Sequence, residues 1–228
     1  MNVIEMENIL KRYANGNDMK VLFEDMDFVV REGELVVISG EEGVGKSTVL
    51  QMIAAMTPAN KGDVKVFGED LVHIKKRTEW RLNTIGYLND ESVLMPYMSI
   101  KGNLLIGTKE DDPDYPEKEK AALAILDEIG FPENKIDHSI ESLDNELLIL
   151  GTIARILMTK PKIILADEPT KALEGEKGRE IINHLLSFAR KHNITVVFVT
   201  EDDSLVQKAD RFVKIEDRQL IDETPNTV

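Results

Sequence analysis

The sequence predicts an α/β fold with a mostly parallel central sheet, an N-terminal antiparallel β-subdomain and an inserted α-helical subdomain. Three observations carry this reading. Leu35–Ser39, Ile163–Ala166 and Thr195–Thr200 are short, nearly unbroken apolar runs, as expected of strands buried on both faces of a parallel sheet. The first run feeds a glycine-rich turn, Gly40–Gly45, and then a segment with helical spacing. Between about Met95 and Leu157 the strand pattern gives way to helical periodicity.

In chain order, Val3–Met6, Val21–Phe23 and Phe28–Val30 read as strands ahead of Leu35–Ser39. Lys46–Met56 places Val49, Leu50, Ile53 and Ala54 on one helical face, and Pro58 and Gly62 end it. Asp63–Phe67 and Thr84–Leu88 are further strands. Glu110–Glu119 mixes acid, proline and lysine and reads as a solvated loop. Lys120–Ile129 aligns Ala121, Leu123, Ala124, Leu126 and Ile129 on an amphipathic helix stopped by Gly130 and Pro132. A helix near Glu176–Lys191 separates the last two apolar runs. The expected organisation is one domain over 1–228, with a core of 1–94 and 158–228 and a helical insert of about 95–157.

Composition narrows the function. The 228 residues are 42% hydrophobic, ordinary for a globular chain, and carry a net charge of −14. A phosphate backbone needs a basic face, so nucleic acid is not an expected partner. Anionic lipid is disfavoured for the same reason. There is no cysteine, hence no disulfide or thiolate metal site, and the four histidines lack ligand spacing. No apolar run approaches the roughly 20 residues of a membrane helix, and the N-terminus lacks a signal-peptide pattern. A cytoplasmic location is expected, with any membrane role exercised through a partner.

The chemistry is concentrated in two places. Gly40-Glu41-Glu42-Gly43-Val44-Gly45-Lys46-Ser47-Thr48 fits the P-loop pattern between a strand and a helix. Average residue usage gives a chance match about once in a hundred chains of this length, and the strand–turn–helix context lowers that. Gly40, Gly43 and Gly45 let the backbone curl so that successive N–H groups face one phosphate. Lys46 reaches the β and γ oxygens, and Ser47 ligates Mg²⁺. The helix N-terminus adds partial positive charge. The second place is Ile163–Thr170, where an apolar strand ends in Asp167 and Glu168. Asp167 is placed to hold the Mg²⁺ water shell and Glu168 to polarise an attacking water.

With these motifs in hand, the chain resembles the ABC transporter ATPases, P-loop NTPases, over roughly Val3 to Asp222, and most closely the lipoprotein-release and macrolide-export branch. The matching pieces include Arg12-Tyr13, Ile85-Gly86-Tyr87, Leu94–Ser99, Ile153-Ala154-Arg155, Glu168-Pro169-Thr170 and Ala209-Asp210-Arg211. The resemblance implies ATP and Mg²⁺ as cofactors, with Thr48 part of the phosphate loop and Tyr13 stacking on adenine. It also implies an integral-membrane permease as partner, docked near Asp90–Tyr97, and a second ABC subunit closing over the nucleotide. The location implied is the inner face of the membrane.

Four family motifs are altered. The LSGGQ signature falls on Leu143-Asp144-Asn145-Glu146-Leu147, the Q-loop glutamine on Asp90, the switch histidine on Glu201, and the D-loop on Lys171-Ala172-Leu173-Glu174. In the family the signature offers a hydroxyl and glycine N–H groups to the γ-phosphate of the opposite ATP. Carboxylates there would repel it by about 4 kcal/mol at about 4 Å and an effective dielectric near 20. A plainer role for Asp144 is to cap the helix that follows. Losing one preorganised donor costs about 100- to 1,000-fold in rate. The sequence thus favours an ATP-binding subunit with weak or absent hydrolysis and a structural or regulatory role. The alternative is a fully active export ATPase. A soluble ABC protein acting on DNA or iron–sulfur assembly fits less well, given the acidity and the lack of cysteine.

Overall fold

In the computed structural model, which describes all residues except 17, 90–92, 170, 172, 174, 201–207 and 225–228, the chain opens with a long hairpin. Its strands are β1 (Asn2–Asn15) and β2 (Asp18–Arg31). The sequence suggested three short strands here. The difference lies in register shifts along the pair, near which Asn8 and Asp25 adopt positive φ. Such bulges break the two-residue alternation, so one long strand reads as several short ones. β1 also pairs antiparallel with β4 (Lys61–Val66), which continues into β5 (Glu69–Asp70), giving a sheet in the order β2-β1-β4-β5.

The second sheet is six-stranded. β3 (Leu35–Ser39) runs parallel to β8 (Thr195–Val199) on one side and to β9 (Arg211–Glu216) on the other. β7 (Ile163–Asp167) runs parallel to β8, and β10 (Gln219–Asp222) closes one edge antiparallel to β9. With β6 (Ile85–Leu88) at the opposite edge the order is β10-β9-β3-β8-β7-β6. All five residues of β3 and of β8 are buried, which is why both read as apolar runs.

α1 (Lys46–Ile53) packs on β7, β8 and β4, and its buried Val49, Leu50 and Ile53 join Phe23, Met26, Ile38 and Leu165 in one core. Burying each such side chain contributes about 1.5–3 kcal/mol before entropy is set against it. The helix stops short of Met56 because Ala55 turns to positive φ, and the Arg81 guanidinium then donates to the Ala54 carbonyl at 3.1 Å. α2 (Arg77–Thr84) has no counterpart in the sequence reading. Thr84 is its buried residue, so it has no apolar stripe to betray it.

These elements belong to a unit comprising 1–87, 162–168 and 193–228; a second unit comprises 88–161 and 169–192. In the second unit, α5 (Asn145–Leu157) packs against α3 (Ile100–Leu104), α4 (Tyr115–Glu128) and α6 (Glu176–Lys191). α4 begins inside the expected loop, because Pro116 sits in its first turn, where a missing N–H costs nothing. α6 buries Ile181, Ile182, Leu185, Leu186 and Ala189 at helical spacing. Asn193, at positive φ, follows its end. Among the described residues, no helix is long and apolar enough to cross a membrane.

Candidate functional site

β3 delivers Gly40 to the start of the phosphate loop, and Gly45 stands immediately before α1. Gly43 and Gly45 have φ of 76° and 113°, conformations that side chains strain to adopt. At Gly45 there is also no room: a Cβ would lie 2.9 Å from the Phe23 ring. The loop therefore rests directly on the hydrophobic core.

Lys46 is 6% exposed, and its ammonium donates to the carbonyls of Gly40 at 2.8 Å and Glu41 at 3.2 Å. It also lies 3.7 Å from the Glu168 carboxylate. Glu168 follows β7 with φ of 45°, and its N–H still bonds the Val199 carbonyl at 3.1 Å. A non-glycine residue held in that region stores about 1–3 kcal/mol of strain, a common property of working sites.

Asp167 is gripped at both oxygens. Ser47 Oγ donates to one at 2.9 Å and the Tyr87 hydroxyl to the other at 3.1 Å. Burial first, then the Asp167 charge and this hydrogen bond, push Tyr87 above the ordinary tyrosine range, so it stays a donor. The Ser47–Asp167 pair offers hard oxygens of the kind Mg²⁺ shares with phosphate, so these residues fit that ion. Tyr87 lies in a segment with a family resemblance, but nothing in the sequence pairs it with a residue 80 positions away.

Tyr13 stands near the end of β1 and is 40% exposed. The buried Lys11 holds its ammonium 4.6 Å from the ring centroid while donating to Thr57 Oγ1 at 2.7 Å and the Pro58 carbonyl at 2.6 Å. Partial burial opposes ionisation of Tyr13, but hydrogen bonds with Thr57 and Thr48 and the Lys11 charge outweigh it and lower the phenol. Lys11 is a residue the sequence reading passed over; its alternation with Tyr13 on β1 was the available signal.

The signature-like segment lies in the second unit. Asp144 caps α5, its carboxylate accepting from the Leu147 N–H at 3.0 Å. Glu146 is 2.6 Å from the Lys177 ammonium, whose proton is held more firmly through that bond. The plainer role foreseen for Asp144 is the observed one. Nearby on the same unit, the fully buried Asn103 bonds the Met95 N–H at 2.6 Å and the Met95 carbonyl at 3.2 Å. Arg155 donates to the Val93 carbonyl at 2.6 Å. These contacts fix a loop that exposes Val93, Met95 and Tyr97. Asp90 and Glu201, the expected Q-loop and switch positions, lie outside the described residues.

Residues 23–171 match the ABC transporter family. The chain belongs to that family. Its relatives are ATP-binding subunits, and its fold is their P-loop cassette. A putative hemin import ATP-binding protein of Staphylococcus haemolyticus, HrtA, is 31% identical over 218 residues, 95% of this chain and 98% of the relative. The lipoprotein-releasing system ATP-binding protein LolD of Rickettsia bellii is 30% identical over 213 residues, 93% of this chain and 95% of the relative. The dimeric structure of MJ0796, a bacterial ABC transporter cassette, superposes with a TM-score of 0.82 at 28% identity, covering 95% of this chain and 96% of that one. The branch foreseen from the sequence, lipoprotein release, is among these relatives.

Proposed function

We propose that this ABC ATP-binding subunit holds Mg-ATP through Gly40, Gly43, Gly45, Lys46, Ser47, Thr48 and Asp167, with Tyr13 against the base, and turns it over weakly or not at all. Its role is structural or regulatory within a complex that includes an integral-membrane permease, at the inner face of the cell membrane. The helical insert, about 95–157, meets the permease through the loop carrying Met95 and Tyr97. The observation that carries the weak turnover is the state of the signature position. Asp144 is spent as a helix cap and Glu146 is paired with Lys177, so carboxylates and a folded turn stand where the family presents glycine N–H groups.

A second reading, a fully active export ATPase, draws on the intact pairing of Ser47 with Asp167 and the placement of Glu168 beside Lys46. One measurement tests the nucleotide site that both readings share, and a second, turnover, separates them. Calorimetry with the purified chain should detect Mg-ATP binding, and Lys46→Ala should weaken it at least about tenfold, because a charge-assisted contact is removed. Steady-state turnover, alone and with the permease, should be very slow and little changed by Glu168→Gln. Turnover of several per second that disappears in Glu168→Gln would establish the second reading instead.

A further inference from the structure

Tyr13 and Lys20 are partners across the β1–β2 hairpin, so their side chains share one face of it. That face reaches the phosphate loop through Lys20. Lys20 Nζ donates to the Gly43 carbonyl at 3.0 Å. Lys20 stands 23 residues before Gly43 in the chain, and no part of the loop motif calls for it.

The loop itself carries an unusual charge. Glu41 and Glu42 occupy two of its variable positions and both are exposed, beside a site that takes a polyanion. Lys46 is nearly buried and stapled to the carbonyls of Gly40 and Glu41. Lys20 is exposed, and a carbonyl occupies one of an ammonium's three N–H donors. Its four-carbon stem therefore places a cation at the mouth of the loop, on the side where Tyr13 stands.

We propose that Lys20 is a second phosphate-directed cation of the nucleotide site, offsetting Glu41 and Glu42 and gripping the polyphosphate of a nucleoside di- or triphosphate. This rests on the reading of Gly40–Thr48 as the nucleotide site. Lys46 organises the loop from within, while Lys20 acts from the hairpin that also carries the base-facing tyrosine. Tail and base are thereby read by one two-stranded element.

The test is calorimetry of the full chain and of Lys20→Met and Lys20→Arg with Mg-ATP, Mg-ADP and adenosine, each at low and high salt. Lys20→Met should weaken ATP and ADP by about fivefold, leave adenosine unchanged, and flatten the salt dependence, since an exposed charge is screened. Lys20→Arg should stay within about twofold of the wild type because it keeps the charge. Equal ATP affinity in Lys20→Met would overturn the proposal and make Lys20 a strap between hairpin and loop. Equal loss for ATP and adenosine would also overturn it, pointing to a displaced Tyr13. Wild-type protein that binds neither ATP nor ADP would overturn the nucleotide-site reading along with it.

Discussion

The Lys177 ammonium lies 2.6 Å from the Glu146 carboxylate and ties the first turn of α5 to the first turn of α6. Together with the Asp144 cap, it engages the 144–146 segment with the chain's own helices.

Removing the cap tests that role directly. Asp144→Ala should lower stability by about 1 kcal/mol, and Asp144→Ser should restore most of it, because serine accepts from the same N–H. Urea unfolding followed by circular dichroism measures both. Identical midpoints for wild type and Asp144→Ala would show that the cap is ornamental.

Pairing of two copies follows from charge. With ATP and the Glu168→Gln substitution, the chain should remain monomeric in sedimentation velocity, because carboxylates rather than glycine N–H donors would face the triphosphate. Lys177 beside Glu146 reduces that repulsion below about 4 kcal/mol, the value for a bare pair at about 4 Å and a dielectric near 20. Replacing Asp144, Asn145 and Glu146 with serine, glycine and glycine should permit an ATP-dependent dimer. An unmodified chain that dimerises on adding ATP contradicts this account.

Tyr87 gives the site a pH signature. The unfolded chain releases a tyrosine proton at about pH 10, whereas the folded chain keeps this one longer. The unfolded state then gains by ionising first, so the Tyr87 contribution is complete below about pH 10 and declines as pH climbs beyond it. Tyr87→Phe should be less stable at neutral pH by about 0.5–1.5 kcal/mol, since Asp167 loses a donor. Its stability should also fall less steeply above about pH 10. Wild-type and variant curves that run parallel into alkali would remove Tyr87 from the explanation.

Docking should depend on the exposed apolar loop. Tyr97 is 79% exposed and Met95 46%, on a backbone clasped by Asn103 and Arg155. Tyr97→Glu should abolish co-purification with the permease without changing ATP affinity, and Asn103→Ala should weaken capture by loosening the loop. Pull-downs indifferent to Tyr97→Glu place the docking surface elsewhere.

The sheet, the phosphate loop and the Asp167–Glu168 pair were legible in the sequence because their signals are local. A strand buried on both faces is an apolar run, and a phosphate loop has fixed spacing. What escaped depends on distance along the chain. Tyr87 finds Asp167 across 80 residues, Lys177 finds Glu146 across 31, and Asn103 clasps a loop eight residues back with no pattern to announce it. α2 was missed for another reason: it buries too little apolar surface to leave a period. The continuous β1 and β2 were hidden by their bulges.

The contact of Gly45 with Phe23 bears on how such a chain drifts over generations. A loop that forms one wall of the core is kept by the need to fold, whether or not phosphate is ever split there. A side chain at Gly45 would collide with the Phe23 ring, whereas Asp144 and Glu146 are accommodated by a cap and an ion pair. Glycine at position 45 therefore answers to two demands at once, one from the packed core and one from any phosphate the loop holds.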